Sequence, residues 1–430
     1  MPKLSKNFIN IGGIKQTNSK AVSRMLIAII VIVIIVIAGG SYYYYTVTSP
    51  SRQPILIGMI TPLSGTYAGD GQLTVDGAQL AINQINAQGG LLGHPLKLVT
   101  QDEGPSTSTA IAAAQILVVQ DKVNFLIGPF FSGDVAGVLP LTYSHKVIEI
   151  LTVSSLDALM VPPENAYLFR TTLSDIGYAQ LAVQWLKQIG AKNAVFLAED
   201  YLYTHEVAND TQMLASKAGI NITSISFYPP TASDYTTAIN QIASTKPDAV
   251  IVVMEGSNGI DFQKQYSANP ITSKIPILDL ESLLDTPSQA ATVDASVPNG
   301  MQYVFLGEMS TITNVTASFN QQLQKAFGVQ ASHYSDDAYD GVMVLANAIK
   351  RAGTFNTTAV ANAMMQTNYV GPGGHIVFQA NHNPVEGPGY LIGTIYQVNI
   401  VNGNIYYETL YPPNVANATA INPATGNPYG

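Results

Sequence analysis

Short apolar runs alternate with longer amphipathic stretches along most of this 430-residue sequence, and this alternation restricts the possible folds more than any other feature. Residues 55–60 (ILIGMI) have the composition of a strand buried on both faces, and residues 75–87 repeat their apolar positions at helical spacing. Strands that alternate with helices of about 10–15 residues indicate βαβ units, whose strands form a parallel sheet. The pattern therefore predicts an α/β protein with parallel sheets.

The alternation runs through two series, which predict two lobes. The first series has strands at 55–60, 96–100, 125–127 and 148–151, with helices at 75–87 and 107–119. The second series, after residue 171, has strands at 194–198, 222–227, 249–254 and 275–278, with helices at 206–217, 235–244 and 259–267. Helices then return at 316–327 and 337–351, and β-like runs follow at 390–400 and 405–410. A chain of this length buries two cores, so two doubly wound parallel-sheet lobes are expected.

The order of the elements predicts that both lobes are discontinuous. Lobe I is assigned to residues 54–172 plus 305–380, and lobe II to residues 173–304 plus 381–411. Three hinge crossings are expected, near residues 171–175, 300–306 and 378–388. Ligands of open parallel sheets bind outside the carboxyl ends of the strands. Two facing lobes therefore share one cleft, which closes by a hinge movement. The last stretch, 412–430, is rich in Pro, Asn, Ala and Gly and is predicted to be a disordered tail.

An unbroken run of 14 apolar residues (MLIAIIVIVIIVIA, 25–38) lies near the start of the sequence. Extended to residue 45, it provides about 20 positions that a bilayer accepts, enough for one transmembrane helix. Five basic residues and no acid precede it, which favours a cytoplasmic N-terminus. We therefore predict a cytoplasmic tail (1–24), a single-pass anchor (25–45), a linker (46–53) and an extracellular binding domain. A removable signal peptide is the alternative, because its apolar core is also about 7–15 residues long.

The charges and the missing motifs exclude several function classes. Five of the 19 basic residues precede residue 25, whereas all 28 acids follow it, and nucleic-acid binding needs clusters of Lys and Arg. The absence of cysteine excludes disulfides, thiolate metal sites and cysteine nucleophiles. The six histidines lack metal-ligand spacing, and the common hydrolase, phosphate-loop and dinucleotide motifs are missing. We expect no nucleic-acid partner, no cofactor, no metal and no enzymatic activity.

A series of stretches between residues 54 and 411 resembles one known family. The matching stretches, in order, are ILIGMITPLSGTYAGDG (55–71), DGAQLAINQINAQGGLLGHPLKLVTQDE (76–103), FLIGPFFSGD (125–134), YLFRTTLSD (167–175), LAEDYLYTHE (197–206), KPDAVIVV (246–253) and YDGVMVLANAIKRAG (339–353). The chain closely resembles the branched-chain amino-acid-binding (leucine/isoleucine/valine-type) proteins, which have the type I periplasmic-binding-protein fold. The resemblance implies the receptor of an ABC importer, which captures a small amino-acid-like ligand by hinge closure and delivers it to permease subunits.

The resemblance also implies a ligand site formed by six residues that match family positions: Ser132, Val153, Ser154, Ser155, Tyr203 and Glu281. In the family, hydroxyls and backbone N–H groups that follow a strand hold the ligand carboxylate. Ser132 and Ser155 occupy the hydroxyl positions, and Val153 and Ser154 would contribute backbone groups. Tyr203 matches an aromatic cleft residue of the second lobe, and Glu281 falls where a carboxylate receives the ligand ammonium. Such a site is complementary to a zwitterion.

Asp70 and Glu255 depart from the family pattern, which has aromatic or apolar residues against the ligand side chain at these positions. A carboxylate buried against a leucine side chain loses its hydration without compensation, at a cost of roughly several kcal/mol. A ligand with a more polar or cationic side chain is therefore expected to fit this site better than leucine does. Capping, packing or solvated-loop roles remain open for each site residue. A ligand-sensing ectodomain of a signalling complex and a structural surface protein remain open as other functions.

Overall fold

The computed structural model describes residues 29–40, 52–281, 284, 287–296, 304–307, 314–401 and 403–429. The chain divides into two compact units, Met1–Gln53 and Pro54–Gly430. In the first unit the described residues 29–40 form a helix, α1, whose isoleucine and valine side chains are exposed. Across the described ranges, no helix is long and apolar enough to cross a membrane. The predicted tail 1–24, the outer parts of the predicted anchor 25–45 and most of the linker 46–53 lie outside the described residues.

The first sheet of the second unit is five-stranded and parallel, in the order β2-β1-β3-β4-β5. Its strands are β1 (Ile55–Thr61), β2 (Leu96–Asp102), β3 (Phe125–Ile127), β4 (Ile148–Leu151) and β5 (Leu168–Arg170). The strands β3, β4 and β5 are buried along their whole length, as expected when helices cover both faces of a parallel sheet. We call the part of the protein built on this sheet the first lobe.

The second sheet has seven strands in the order β14-β13-β10-β9-β8-β6-β7, and it defines the second lobe. The remaining strands, in chain order, are β6 (Asn193–Glu199), β7 (Asn221–Tyr228), β8 (Ala249–Val253), β9 (Ile277–Asp279), β10 (Val304–Gly307), β11 (Tyr369–Val370), β12 (His375–Ile376), β13 (Ile395–Val401) and β14 (Asn404–Tyr411). The strands β13 and β14 are antiparallel to each other, because a tight turn at Gly403 joins them. The strand β13 is also antiparallel to its other neighbour, β10. The short pair β11–β12 stands apart from both sheets.

Helices cover both sheets and return to the first lobe after β10. In chain order they are α2 (Ala68–Ala87), α3 (Thr107–Gln115), α4 (Ser132–His145), α5 (Asp175–Gln188), α6 (Leu202–Lys217), α7 (Thr236–Thr245), α8 (Gly256–Ala268), α9 (Pro287–Ser296), α10 (Asn314–Phe327), α11 (His333–Ala352) and α12 (Thr357–Met364). Leu323 of α10 packs with Leu80 of α2 in one buried cluster. Gly77 allows α2 and α11 to approach closely, since a Cβ there would lie 1.8 Å from the Ser335 carbonyl oxygen.

The strand β10 corrects one predicted boundary. The sequence predicts that residues 305–307 belong to lobe I, with the second crossing at 300–306, but β10 pairs with β9 and β13 inside the second sheet. Phe305 and Leu306 are fully buried in the core of the second lobe, and this burial favours their place in the second sheet. The crossing to α10 therefore follows β10.

The C-terminal stretch 412–430 is the second correction, because its described residues pack onto the second lobe instead of forming a disordered tail. Ala420 is 1% exposed and belongs to the core of that lobe. The Ile421 N–H donates to the Gln397 side-chain oxygen of β13 at 2.9 Å. The sequence hides these contacts, because Ala420, with Ala418 and Tyr429 packed against the same core, and backbone hydrogen bonds hold a largely polar stretch.

Candidate functional site

A cavity of about 520 Å³ lies between the carboxyl ends of the strands of the two sheets. Every segment that lines it follows directly after a strand, as parallel sheets require of their ligand sites. The lining segments of the first lobe follow β1, β2, β3 and β4, and those of the second lobe follow β6, β7, β8 and β9. Seven of the eight predicted site residues line this cavity: Ser132, Val153, Ser154, Ser155, Tyr203, Glu255 and Glu281.

The wall of the first lobe is formed by the start of α4 and the loop after β4. Ser132 begins α4, and its Oγ lies 2.8 Å from the Ser154 Oγ. The helical hydrogen bonds begin at Asp134, so the N–H groups of Ser132 and Gly133 have no partner within the helix. These groups and the positive end of the helix dipole favour an anion in the cavity. The Ser155 hydroxyl, in contrast, donates to the Val153 carbonyl at 3.0 Å.

Glu103, which the sequence did not single out, fixes this wall from behind. Its two carboxylate oxygens accept the N–H groups of Phe130 at 2.9 Å and Phe131 at 3.0 Å. Burial, opposed by these hydrogen bonds, raises the pKa of Glu103 well above its usual value. The side chain therefore holds the turn before α4 in place.

The wall of the second lobe is acidic. Glu281 follows β9, is 4% exposed, and accepts a hydrogen bond from the Tyr203 hydroxyl at the start of α6. Glu255 follows β8, and the charge of Glu281 acts on its carboxyl group. The Glu255 Oε2 atom is buried and has no hydrogen-bond partner among the residues that the structure describes.

Two further acids are buried close enough to this wall for their charges to act on Glu255. Asp70, in α2, is the one predicted site residue that does not line the cavity; it is buried, and the charges of Glu281 and Glu199 act on it. Glu199, at the end of β6, accepts hydrogen bonds from the Tyr67 hydroxyl at 3.1 Å and the Asn258 amide at 3.0 Å. Glu199 is not among the residues predicted from the sequence, although an acid that ends a buried strand is itself a signal for a site at the carboxyl edge of the sheet.

Residues 54–398, which are most of the chain, match the family of periplasmic binding proteins. This chain belongs to the periplasmic binding protein family. A Leu/Ile/Val-binding protein of Rhizobium johnstonii is 25% identical over 312 residues, which cover 72% of this chain and 83% of that protein. A Leu/Ile/Val-binding protein homolog of Brucella abortus is 24% identical and covers 74% of this chain and 82% of its own length. The resemblance stated from the sequence is thereby confirmed.

Solved structures confirm the type I fold. The branched-chain amino acid transporter substrate binding protein LivJ from Streptococcus pneumoniae, in complex with isoleucine, superposes with a TM-score of 0.72. It is 23% identical and covers 84% of this chain and all of its own. A solute binding protein from Rhodopseudomonas palustris, in complex with 3,4-dihydroxy benzoic acid, has a TM-score of 0.74, is 20% identical and covers 85% and 98% of the two chains. The family consists of solute-binding proteins and not of enzymes.

Among the described residues that line this binding protein's cavity there is no Lys, Arg or His, so none of them offsets the acids with a positive charge. Burial first, and then the charges of the neighbouring acids, raise the pKa of Glu255 well above its usual value. Burial also raises the pKa of Glu281, and it raises those of Asp70 and Glu199 to about 7. The cluster therefore retains protons near neutral pH, and a cationic ligand group would replace them. Within the described ranges, no three acidic or histidine side chains are grouped as a metal ion requires.

Three aromatic rings close one side of the cavity. Phe131, next to the start of α4, stacks on Tyr201 of the second lobe with ring centroids 5.1 Å apart. The rings of Phe131 and Tyr67, which follows β1, pack in a T-shaped arrangement with their centroids 5.1 Å apart. The Tyr201 hydroxyl donates to the Tyr67 hydroxyl at 2.9 Å, so this contact also joins the two lobes. The lobes of this binding protein are thus in direct contact across the cleft.

Proposed function

We propose that this protein is the extracellular solute receptor of an ABC importer and that it captures a small amino-acid-like molecule between its lobes. One observation carries the proposal: the cavity has N–H and hydroxyl donors on one wall and carboxyl groups on the opposite wall. A zwitterion presents the complementary pair of charges. The similarity to Leu/Ile/Val-binding proteins and to an isoleucine-bound substrate binding protein supports this ligand class.

The ligand carboxylate would bind at the start of α4. There the N–H groups of Ser132 and Gly133 and the hydroxyls of Ser132 and Ser154 provide donors at the positive end of a 14-residue helix. Hydrogen bonds of this kind to a charged acceptor each stabilise a complex by about 1.5–3 kcal/mol. The ligand ammonium would bind Glu281, which Tyr203 orients through its hydroxyl. Both charges of the ligand then have partners, one from each lobe.

Closure of the two lobes around the ligand would create the form that the permease subunits recognise. The chain passes between the lobes at three places: between β5 and α5, between β10 and α10, and before β13. Three covalent connections restrict the lobes to a hinge movement. A ligand that bridges both walls stabilises only the closed form, so it shifts the population toward closure.

We also propose that the N-terminal apolar segment stays on the protein as a single-pass anchor. The exposed apolar side chains of α1 support this proposal, since a bilayer covers such a surface and water does not. Mass spectrometry of the protein from membranes tests it. A mature chain that begins after residue 45 would identify a removed signal peptide instead.

A ligand screen tests the binding function. Full-length protein in detergent should show a raised melting temperature with a subset of amino acids, and no shift with sugars. Bound ligand stabilises the folded state by about 2.7 kcal/mol at a hundred times Kd, which a melting curve resolves easily. If amides, short peptides or aromatic acids shift the melting temperature while every amino acid fails, the proposed ligand class is wrong.

A further inference from the structure

We propose that the ligand is a dibasic amino acid, whose side chain carries a second positive group that binds between Glu255 and the aromatic rings of the cleft. The proposal rests on the amino-acid-binding function proposed above and specifies its substrate class. It starts from the charges of the second wall. Glu255 and Glu281 line the cavity, the charges of Asp70 and Glu199 act on Glu255, and none of the lining residues that the structure describes is basic.

A single ammonium group leaves this wall incomplete. Glu281 has the Tyr203 hydroxyl as a partner and is the acid that meets the α-ammonium in the proposed pose. Glu255 then remains in the cavity with a buried Oε2 atom that has no partner among the described residues. Buried acceptors in folded proteins are almost always satisfied. A donor on the ligand side chain would satisfy Glu255, and a charged donor would also offset the surrounding acids.

The aromatic rings favour a cation on a methylene chain. Tyr67, Phe131 and Tyr201 present ring surface on the same cavity as Glu255. Ring faces attract ammonium and guanidinium groups, and the same surface packs against methylene groups. An aliphatic side chain without charge would fill this volume but offer no hydrogen-bond donor to the Glu255 Oε2 atom. An aromatic acid would bring a negative group and no cation to the acidic wall.

Calorimetry with matched ligand pairs tests the proposal on the full-length protein. Arginine is compared with citrulline, and lysine with norleucine, because each pair has similar length and differs in the side-chain charge. The charged member should bind at least about tenfold more tightly, as expected for a charged hydrogen bond to a buried carboxylate. Cadaverine, which has both amines but no carboxylate, should bind more weakly than lysine.

The variant Glu255→Gln assigns the preference to this residue. It should reduce the affinity for arginine to about that for citrulline, while Glu164→Gln, an acid that does not line the cavity, should leave both affinities unchanged. A melting curve without ligand checks that each variant folds. Equal affinities within both ligand pairs, or a preference that survives Glu255→Gln, would overturn the proposal. If neutral amino acids bind tightly and dibasic ones do not, only the substrate class is wrong. If no amino acid binds, the proposed function fails as well.

Discussion

The two walls of the cleft stand at the carboxyl ends of similar sheets, yet they reach complementarity in different ways. The first wall uses neutral donors, the N–H groups at the start of α4 and the hydroxyl pair Ser132–Ser154, which are compatible with one another when the cavity is empty. The second wall uses carboxyl groups, Glu255 and Glu281, which repel each other as soon as both ionise. A ligand therefore adds to the first wall but relieves the second, and selectivity should reside in the second.

The largest effect is expected from Glu281→Ala, which tests whether the acidic wall binds the α-ammonium. Removing one partner of a buried ion pair costs roughly 3–5 kcal/mol, because the other charge stays buried without a partner. Calorimetry with the ligand from the screen should therefore show affinity lowered by more than a hundredfold. Unchanged affinity would mean that the family's ammonium site has not been retained here.

The acidic wall should also make stability depend on pH, which Asp70→Asn tests. Burial first, then the charges of Glu281 and Glu199, raise the pKa of Asp70 from 3.8 to about 7. The folded state thus keeps a proton that the unfolded state releases, and the free energy of unfolding falls as pH rises from about 4 to 7. A shift of about three units corresponds to at most about 4 kcal/mol. Denaturant unfolding at several pH values should show a smaller decrease in Asp70→Asn than in the wild type.

The exposed Asp121 provides a control, because Asp121→Asn should leave this pH dependence unchanged. Ligand affinity should follow the opposite trend, since a cation competes with the protons held by Asp70, Glu199, Glu255 and Glu281 beside the Tyr203 hydroxyl. Affinity that falls between pH 5 and 7 would contradict this account of the acidic wall.

Ser132→Ala tests the neutral wall and should have a smaller effect. Loss of one hydroxyl donor to a charged group costs about 1.5–3 kcal/mol, and the N–H groups of α4 remain in place. Affinity should fall by about one to two orders of magnitude, less than in Glu281→Ala. The melting temperature without ligand should change little, because the variant loses only one neutral hydrogen bond, the contact between the Ser132 and Ser154 hydroxyls. An effect as large as that of Glu281→Ala would show that both walls contribute equally.

The sequence predicted the two walls unequally, for a physical reason. Ser132 and Glu281, which line the cavity, could be predicted because each follows a strand whose apolar run is visible in the sequence and because each matches a family position. Glu199 was missed because its role depends on Tyr67 and Asn258, which are 132 and 59 residues away. The sequence places Asp70 in the cavity, but it is buried in α2 and does not line the cavity. Local patterns place strand ends, whereas contacts between distant segments decide which acids share a charge cluster.

The smallest effect is expected from Tyr201→Phe, which tests the contact between the walls. The change removes the hydroxyl that donates to Tyr67 but keeps the ring that stacks on Phe131. A hydrogen bond between neutral groups contributes about 0.5–1.5 kcal/mol, and this one exists only when the lobes are in contact. Ligand should therefore dissociate about two- to tenfold faster, while the association rate stays nearly the same. Stopped-flow measurements separate the two rates, with Tyr390→Phe, which is exposed and does not line this cavity, as the matched control. A slower association with unchanged dissociation would mean that the tyrosine pair guides entry of the ligand and does not hold the closed form.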